Sequence, residues 1–342
     1  MKNNKIISLE LLRFFSSLLV VVWHYLHFFY PFNSISPLNI FEYNNEFLKL
    51  FLKSQLGTHG VYIFFCISGI VFSANYLNKV TSFRTFFIRR FARLYPLHFF
   101  TLIFVALIQI INLKYIGNFE IYFFNDLKHF FLNIYLISGW GFEDGYSFNA
   151  PIWSVSVEII VYFVFFNLIA ILSRKNFLII ISLIILFVFI KKTYFDNEIF
   201  SAFVLFFSGV LLFKIYSEKK ILLLFFITFF LLSLNLFGNY KIILTCIGIC
   251  AFFLSINNIF SNLSLQKVSQ SLGDLTYSSY LLHIPFQLIL IFIINQLNIN
   301  QNIFKSPYFF LIFIILVYLI SLLVFRFYEK PVGYFIRKKY LN

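Results

Sequence analysis

Long apolar runs alternate with short polar clusters along almost the whole of this chain. A helix that crosses a bilayer needs about 20 mostly apolar residues. Ten runs approach or meet that length: 9–30, 60–77, 96–113, 151–172, 177–190, 199–216, 221–237, 240–256, 276–295 and 307–328. Several fall short of it, the run 177–190 most of all. A further apolar stretch, His129–Trp140, is too short to span and is expected to lie at the interface or to re-enter. The predicted fold class is all-α: a polytopic integral membrane protein of about ten transmembrane helices. A single transmembrane domain is expected over 1–342, with its core at about 8–336. The first run, Leu9–Tyr30, is too long for the apolar part of a cleavable leader, so it is taken as the first spanning helix.

Charge gives the orientation. Placing the N-terminus in the cytoplasm puts nineteen of the 27 Lys and Arg on the inner side and eight on the outer. The inner set is Lys2, Lys5, Arg13, Lys79, Arg84, Arg89, Arg90, Arg93, Arg174, Lys175, Lys214, Lys219, Lys220, Lys267, Arg326, Lys330, Arg337, Lys338 and Lys339, which includes every Arg. This is the positive-inside bias, and the even number of crossings puts both termini in the cytoplasm. Composition agrees. The chain is 61% hydrophobic and 12% charged, where soluble domains carry about 45–50% and about 25%. The net charge of +14 is dispersed between apolar runs, so a lipid bilayer is the expected partner and nucleic acid is not. Cys66, Cys246 and Cys250 lie inside apolar runs with no zinc or redox spacing. No metal is expected.

Candidate chemistry sits where ionisable groups are costly. A charge at the bilayer centre costs roughly 2.5–3.5 kcal/mol on insertion scales. Arg13 and His24 are eleven residues, three turns, apart on the first helix and share a face. Counting about 1.5 Å per residue, His24 lies about 9 Å below the outer edge and Glu158, on the fourth run, about 10 Å below it. A buried His–Glu pair needs such matched depths; a satisfied core histidine and a structural carboxylate are the competing account. Arg89, Arg90 and Arg93 fall at i,i+3 and i,i+4 spacing and can line one helical face. Guanidinium forks suit phosphates, and anionic lipid heads would attract the same cluster. His283 lies about 12 Å in from the cytoplasmic edge. Pro285 beside it is expected to kink the helix and free a carbonyl, and His283 could donate to that carbonyl or to a ligand.

Several motifs then occur in order. They are Arg13 and His24; Gly60-Val61-Tyr62-Ile63-Phe64-Phe65-Cys66-Ile67-Ser68-Gly69; Arg89-Arg90-Phe91-Ala92-Arg93-Leu94-Tyr95-Pro96; Trp153-Ser154-Val155-Ser156-Val157-Glu158; Tyr277–Pro285; and Glu329-Lys330-Pro331. Together they resemble the acyltransferase-3 family of bacterial multi-pass membrane O-acyltransferases that act on carbohydrates. The resemblance runs from about Ser8 to about Ile336. Two positions depart from the family's pattern: Tyr62 stands where an acidic residue is common, and Ile159 where many members repeat the glutamate. The chain looks like a stand-alone member without an extra extracytoplasmic domain.

The resemblance implies transfer of an acyl group, usually acetyl, from acetyl-CoA or another acyl-CoA to a hydroxyl of a carbohydrate or lipid-linked glycan in the bacterial inner membrane. His24 is then expected as general base, oriented by Glu158, because histidine titrates near neutral pH. Arg13, Arg89, Arg90 and Arg93 would hold the phosphates of coenzyme A. Ser68, Trp153, Tyr277, Tyr280 and His283 are expected to line the site. The outer stretch Lys114–Ala150, with Trp140, is the candidate acceptor contact; an interfacial aromatic anchor is the alternative for Trp140. Buried His, Glu and Arg would also suit a transporter or flippase of a lipid-linked sugar, which does not need an Arg cluster paired with a His at outer depth, and an inactive scaffold of glycan assembly is a third reading. Oligomeric state is not legible.

Overall fold

A computed structural model describes residues 6–29, 55–77, 79–173, 177–193, 197–234 and 240–341. Of the charges counted above, Lys2, Lys5, Lys49, Lys53, Arg174 and Lys175 lie outside the described residues, as does the last residue of the first run, Tyr30.

The chain is helical, with no strand among the described residues. In order the helices are α1 (Ile7–His24), α2 (Leu56–Tyr76), α3 (Phe83–Tyr115), α4 (Leu127–Ile134), α5 (Trp153–Leu172), α6 (Phe177–Thr193) and α7 (Glu198–Ser217). There follow α8 (Ile221–Leu234), α9 (Lys241–Ser255), α10 (Leu263–Asp274), α11 (Thr276–Gln296), α12 (Pro307–Val324) and α13 (Lys330–Leu341). Among the described residues 7 helical spans are long and apolar enough to cross a membrane. The other three expected crossings are apolar helices too, but shorter: α6 has 17 residues, α8 has 14 and α9 has 15. Exposure agrees with a lipid environment. On α12, Leu311, Ile312, Ile315, Leu319, Leu322 and Leu323 are all exposed, an arrangement that water would penalise and lipid does not.

One helix exceeds its expected length. The third run is the second half of a 33-residue helix, α3, which begins at Phe83. At about 1.5 Å per residue α3 is about 50 Å long, against an apolar layer of about 30 Å. Its Arg-bearing turns therefore continue the spanning helix beyond that layer. Pro96 sits inside it.

Two compact units divide the chain. One comprises Met1–Leu18, Thr58–Phe83 and Val157–Thr276; the other comprises Leu19–Gly57, Arg84–Ser156 and Tyr277–Asn342. The first is centred on α7, which is buried along most of its length. Here α2 and α7 meet backbone to backbone. A Cβ on Gly69 would lie 1.9 Å from the carbonyl oxygen of Phe206, and one on Gly209 would lie 2.1 Å from that of Cys66. Small residues at the contact let two helices approach this closely, as is common in membrane bundles. A side chain at either position would force the helices apart.

The second unit is organised by α3 and α11. The Tyr277 hydroxyl donates to Leu94 O at 2.5 Å. Further along, Asn149 Nδ2 donates both to Thr101 Oγ1 (3.2 Å) and to Leu281 O (2.8 Å). Leu102, Val105, Ile284 and Leu288 share one buried cluster beyond that. The register advances in the same direction on both helices, so α3 and α11 run parallel. The 3-10 turn Tyr25–Phe29 that continues α1 packs on Ile291, Ile294, Phe304 and Phe313 in a second cluster. The Tyr25 hydroxyl donates to Phe304 O at 2.8 Å.

Gly209→Ala is expected to destabilise the protein by about 1–3 kcal/mol, the usual cost of forcing bulk into a filled contact. It should lower the apparent melting temperature in detergent, followed by fluorescence-detected size exclusion. Leu222→Ala, on the exposed face of α8, should leave it unchanged.

Candidate active site

His24 closes α1 just before the chain tightens into the 3-10 turn. Its Nδ1 lies 2.8 Å from Val20 O. A carbonyl only accepts, so Nδ1 carries the hydrogen and Nε2 keeps the lone pair of the neutral ring. The half-buried ring sits between two other imidazoles. The centroid of His283 is 4.8 Å away and that of His27 is 5.4 Å away. His27 Nε2 in turn lies 3.1 Å from the Tyr122 hydroxyl. Gln287, one turn beyond His283 on α11, donates from Nε2 to His24 O at 2.8 Å. That carbonyl is near the end of α1, where helix carbonyls lack intrahelical partners. The expected His24 and His283 therefore come together. His27, Tyr122 and Gln287 join them without having been anticipated. A histidine three residues after His24 was the only signal for His27, and a glutamine inside an apolar run the only one for Gln287.

The expected role of Pro285 needs correcting. Proline removes the N–H that would have bonded Leu281 O, four residues back. That carbonyl is taken by Asn149 Nδ2, not by His283. His283 Nδ1 lies 3.1 Å from Ser279 O instead.

Glu158 belongs to the first unit, where two hydroxyls converge on it. Ser68 Oγ donates to Oε1 at 2.7 Å, and the Tyr162 hydroxyl donates to Oε2. Ser68 and Glu158, both expected in the site, are thus direct partners, with Tyr162 added. Charge-assisted bonds of this kind hold a carboxylate in place. In the same unit the Tyr62 hydroxyl donates to Glu198 Oε2 at 2.8 Å and to Ser201 Oγ at 3.2 Å. A carboxylate is therefore present beside the position where relatives commonly carry one. Arg13 Nη1 pairs with Glu10 Oε2 at 3.1 Å, one turn back on α1.

The other arginines belong to the second unit. Arg89 is exposed on α3, while Arg90 and Arg93 are half-buried. The helix α13 crosses there: a Cβ on Gly333 would lie 2.9 Å from Ala92 O and 3.3 Å from Nη1 of Arg337. The Arg337 guanidinium therefore lies near α3, close enough to Arg93 and Arg90 to feel both charges. Neither Arg93 nor Arg337 forms an ion pair among the described residues. Two neighbouring guanidinium groups, Arg93 and Arg337, without an ion pair among the described residues suit an anion. Arg337 had counted only toward the positive-inside bias.

The remaining expected liners have structural bonds. Tyr280 OH donates to Pro151 O and lies 2.7 Å from Ser154 Oγ, tying α11 to the start of α5. Tyr277 ties α11 to α3, as above. The Trp153 carbonyl accepts from Ser156 Oγ at 2.7 Å. Beside them Ser278 Oγ donates to the buried Glu329 at 2.5 Å, in a single π-helical turn, Phe325–Glu329, that joins α12 to α13.

The outer stretch is ordered by its own polar groups. Its short apolar piece forms the eight-residue α4, capped by Asp126, which accepts from His129 N at 2.9 Å. That backbone bond and the His129 imidazole hold the Asp126 carboxyl below its usual range. Trp140 donates its indole N–H to Ser156 O at 2.9 Å, which fixes the ring. Gln109 brackets the Glu120 backbone, donating to its carbonyl at 2.7 Å and accepting from its N–H at 3.0 Å. The Glu120 Oε1 has no partner among the described residues. Burial raises this carboxyl to about 7.

A polytopic helical bundle that gathers Arg90, Arg93 and Arg337 at one level and three imidazoles at another is the architecture of this membrane protein. The chain belongs to the acyltransferase-3 family: the family's sequence model, described as an acyltransferase domain, matches residues 6–326. As a member it is a membrane acyltransferase. No curated protein and no solved structure matches it.

The raised carboxyl of Glu120 makes stability pH-dependent. With its folded value near 7 and an unfolded value of about 4.3, the folded state binds more protons across that window. Stability is therefore lost as pH rises through it. Glu120→Gln should be more thermostable than wild type at pH 8 and equal to it at pH 4, read as melting temperature against pH. Equal curves at every pH would show that the carboxyl is not held neutral.

Proposed function

We propose that the protein transfers an acetyl group from acetyl-CoA to a hydroxyl of a cell-surface or lipid-linked carbohydrate, in the inner membrane of a bacterium. The observation that carries this reading is the spacing of two polar levels along α3 and α11. Tyr277 bonds Leu94, next to Arg93. His283 follows Tyr277 by six residues and Gln287 by ten, hence about 9 Å and about 15 Å along the axis. An extended pantetheine arm covers that distance, so phosphates held by Arg89, Arg90, Arg93 and Arg337 deliver the thioester to His24. In the expected orientation the arginine end faces the cytoplasm, where acyl-CoA is made. Arg13 is the further cation assigned to the donor.

His24 acts as general base. Its Nε2 takes the proton of the acceptor hydroxyl as that oxygen attacks the thioester carbonyl and the new C–O bond forms. The tetrahedral oxyanion collapses, the C–S bond breaks, and the imidazolium gives its proton to the departing thiolate. The Val20 carbonyl already fixes the tautomer. Glu158 is thus assigned to His24 as the charge that stabilises the imidazolium, more than as a lever that turns the ring. With no Cys or Ser placed as a nucleophile, transfer is read as direct in a ternary complex, with an acyl-His24 intermediate as the alternative.

Acetyl-CoA binding by calorimetry, on protein in nanodiscs, tests the donor side. Wild type should bind. Arg90→Ala/Arg93→Ala and Arg337→Ala should each lose about tenfold or more, since a bond to a charged group is worth about 1.5–3 kcal/mol. His24→Ala should bind but transfer no label. If folded wild type binds neither acetyl-CoA nor any other acyl-CoA, the donor assignment fails and the flippase reading replaces it.

A further inference from the structure

Two buried hydrogen-bond acceptors beside His24 have nothing to accept from. His283 and Gln287 stand at i and i+4 on α11, and both are fully buried. One polar end of each is used. His283 donates from Nδ1 to Ser279 O, and Gln287 donates from Nε2 to His24 O. These bonds leave no freedom in the other ends. Turning the carboxamide over would set Oε1 against the His24 carbonyl, acceptor on acceptor. The neutral imidazole with its hydrogen on Nδ1 presents a lone pair at Nε2. His283 Nε2 and Gln287 Oε1 are left without a partner among the described residues.

Nearly all buried polar atoms in native proteins have a partner, and an exception calls for an explanation such as strain, a catalytic role or a bound water, ion or ligand. Here the missing partner is a donor, twice over, one helical turn apart. Neither His24 nor His27 supplies it, because neither acceptor atom has a hydrogen-bond partner among the described residues.

We propose that His283 Nε2 and Gln287 Oε1 hold hydroxyl groups of a polyol acceptor, neighbours of the hydroxyl that is acylated at His24. The proposal rests on the acetyl-transfer reading above and adds the residues that select its acceptor. The direction of approach favours a polyol over the donor's own amides. A donor anchored at the arginine level brings to His24 a thioester, which has no hydrogen to give to His283 Nε2, while Gln287 lies a turn further on. What meets Gln287 comes from the acceptor. A pyranoside ring carries hydroxyls on adjacent carbons and answers a row of acceptors; a lone alcohol answers one. Each hydroxyl that donates to His283 or Gln287 also turns its ring so that the reacting oxygen faces His24 Nε2.

The test uses full-length protein in nanodiscs, radiolabelled acetyl-CoA, and a panel of methyl pyranosides with their monodeoxy analogues. Acetyl-CoA affinity is measured beside acceptor KM and kcat for wild type, Gln287→Met, His283→Phe and His283→Gln. Wild type should acetylate a glycoside of the panel and lose activity on the analogue that lacks the neighbouring hydroxyl. Gln287→Met and His283→Phe should raise acceptor KM about tenfold, the loss of one neutral hydrogen bond, with acetyl-CoA affinity intact. His283→Gln places an amide oxygen near the former Nε2 and should restore the wild-type KM. If the deoxy analogue reacts as well as its parent, or if His283→Gln is no better than His283→Phe, the two atoms hold water only and the proposal is overturned. Acetyl-CoA binding without transfer to any glycoside also overturns it while leaving the donor reading intact. Loss of acetyl-CoA binding in wild type would defeat that reading instead.

Discussion

In helices this apolar, a polar atom inside the bundle must find its partner within the protein, because the surrounding lipid supplies none. That constraint shapes the second unit more than any single packing contact. Pro285 breaks the hydrogen-bond ladder of α11, and the carbonyl it frees must be answered. Asn149 answers it and, with the same amide nitrogen, reaches Thr101 on α3. One satisfied defect thus sets the register between two parallel helices. Tyr277 sets it again a turn earlier. The same logic operates at the end of α1, where Gln287 takes the His24 carbonyl and so holds the imidazole against α11. The site follows from repairs to broken helical ladders.

The spanning helices were legible because hydropathy over about 20 residues registers the thickness of the apolar layer directly. Lengths were less so. The sequence marks where apolar residues stop, but not where helical hydrogen bonding stops. The Arg motif and the third run therefore read as separate features, although α3 joins them through Pro96. Conversely α6, α8 and α9 are too short to match their neighbours. His24, Glu158 and the arginines of α3 stood out because charge inside an apolar run is costly and needs a reason. His27, Gln287 and Arg337 did not, because each acquires meaning only through a neighbour distant in the chain. Gln287 matters through a carbonyl 263 positions away. Arg337 matters because Gly333 lets α13 touch α3 at Ala92. Pro285 was read correctly as a source of a free carbonyl, but which side chain would claim it depends on Asn149, which precedes another helix.

Glycines do for Glu158 what the proline repair does for His24. Gly69 and Gly209 remove the side chains that would otherwise separate α2 from α7, which fixes the helix that carries Ser68. The hydroxyl of Ser68 and that of Tyr162 then meet the two oxygens of Glu158. A carboxylate in an apolar surrounding is costly to ionise unless hydrogen bonds support the charge. The Ser68 and Tyr162 hydroxyls are two such donors, one to each carboxyl oxygen. The Ser68-Gly69 pair in the sequence is therefore one device, the glycine making the approach and the serine using it.

The two polar levels of the second unit obey opposite rules, and the contrast is what the proposed ligands answer. At the level of Ala92, donors are in excess: Arg90, Arg93 and Arg337 gather with no carboxylate beside Arg93 or Arg337. At the level of His24, acceptors are in excess, in His283 Nε2 and Gln287 Oε1. A ligand for the first must bring negative charge and a ligand for the second must bring hydroxyl or amide hydrogens. On the proposed reading, a phosphate-rich donor at one level and a hydroxyl-rich acceptor at the other would satisfy each excess separately and would meet at the lone pair of His24 Nε2.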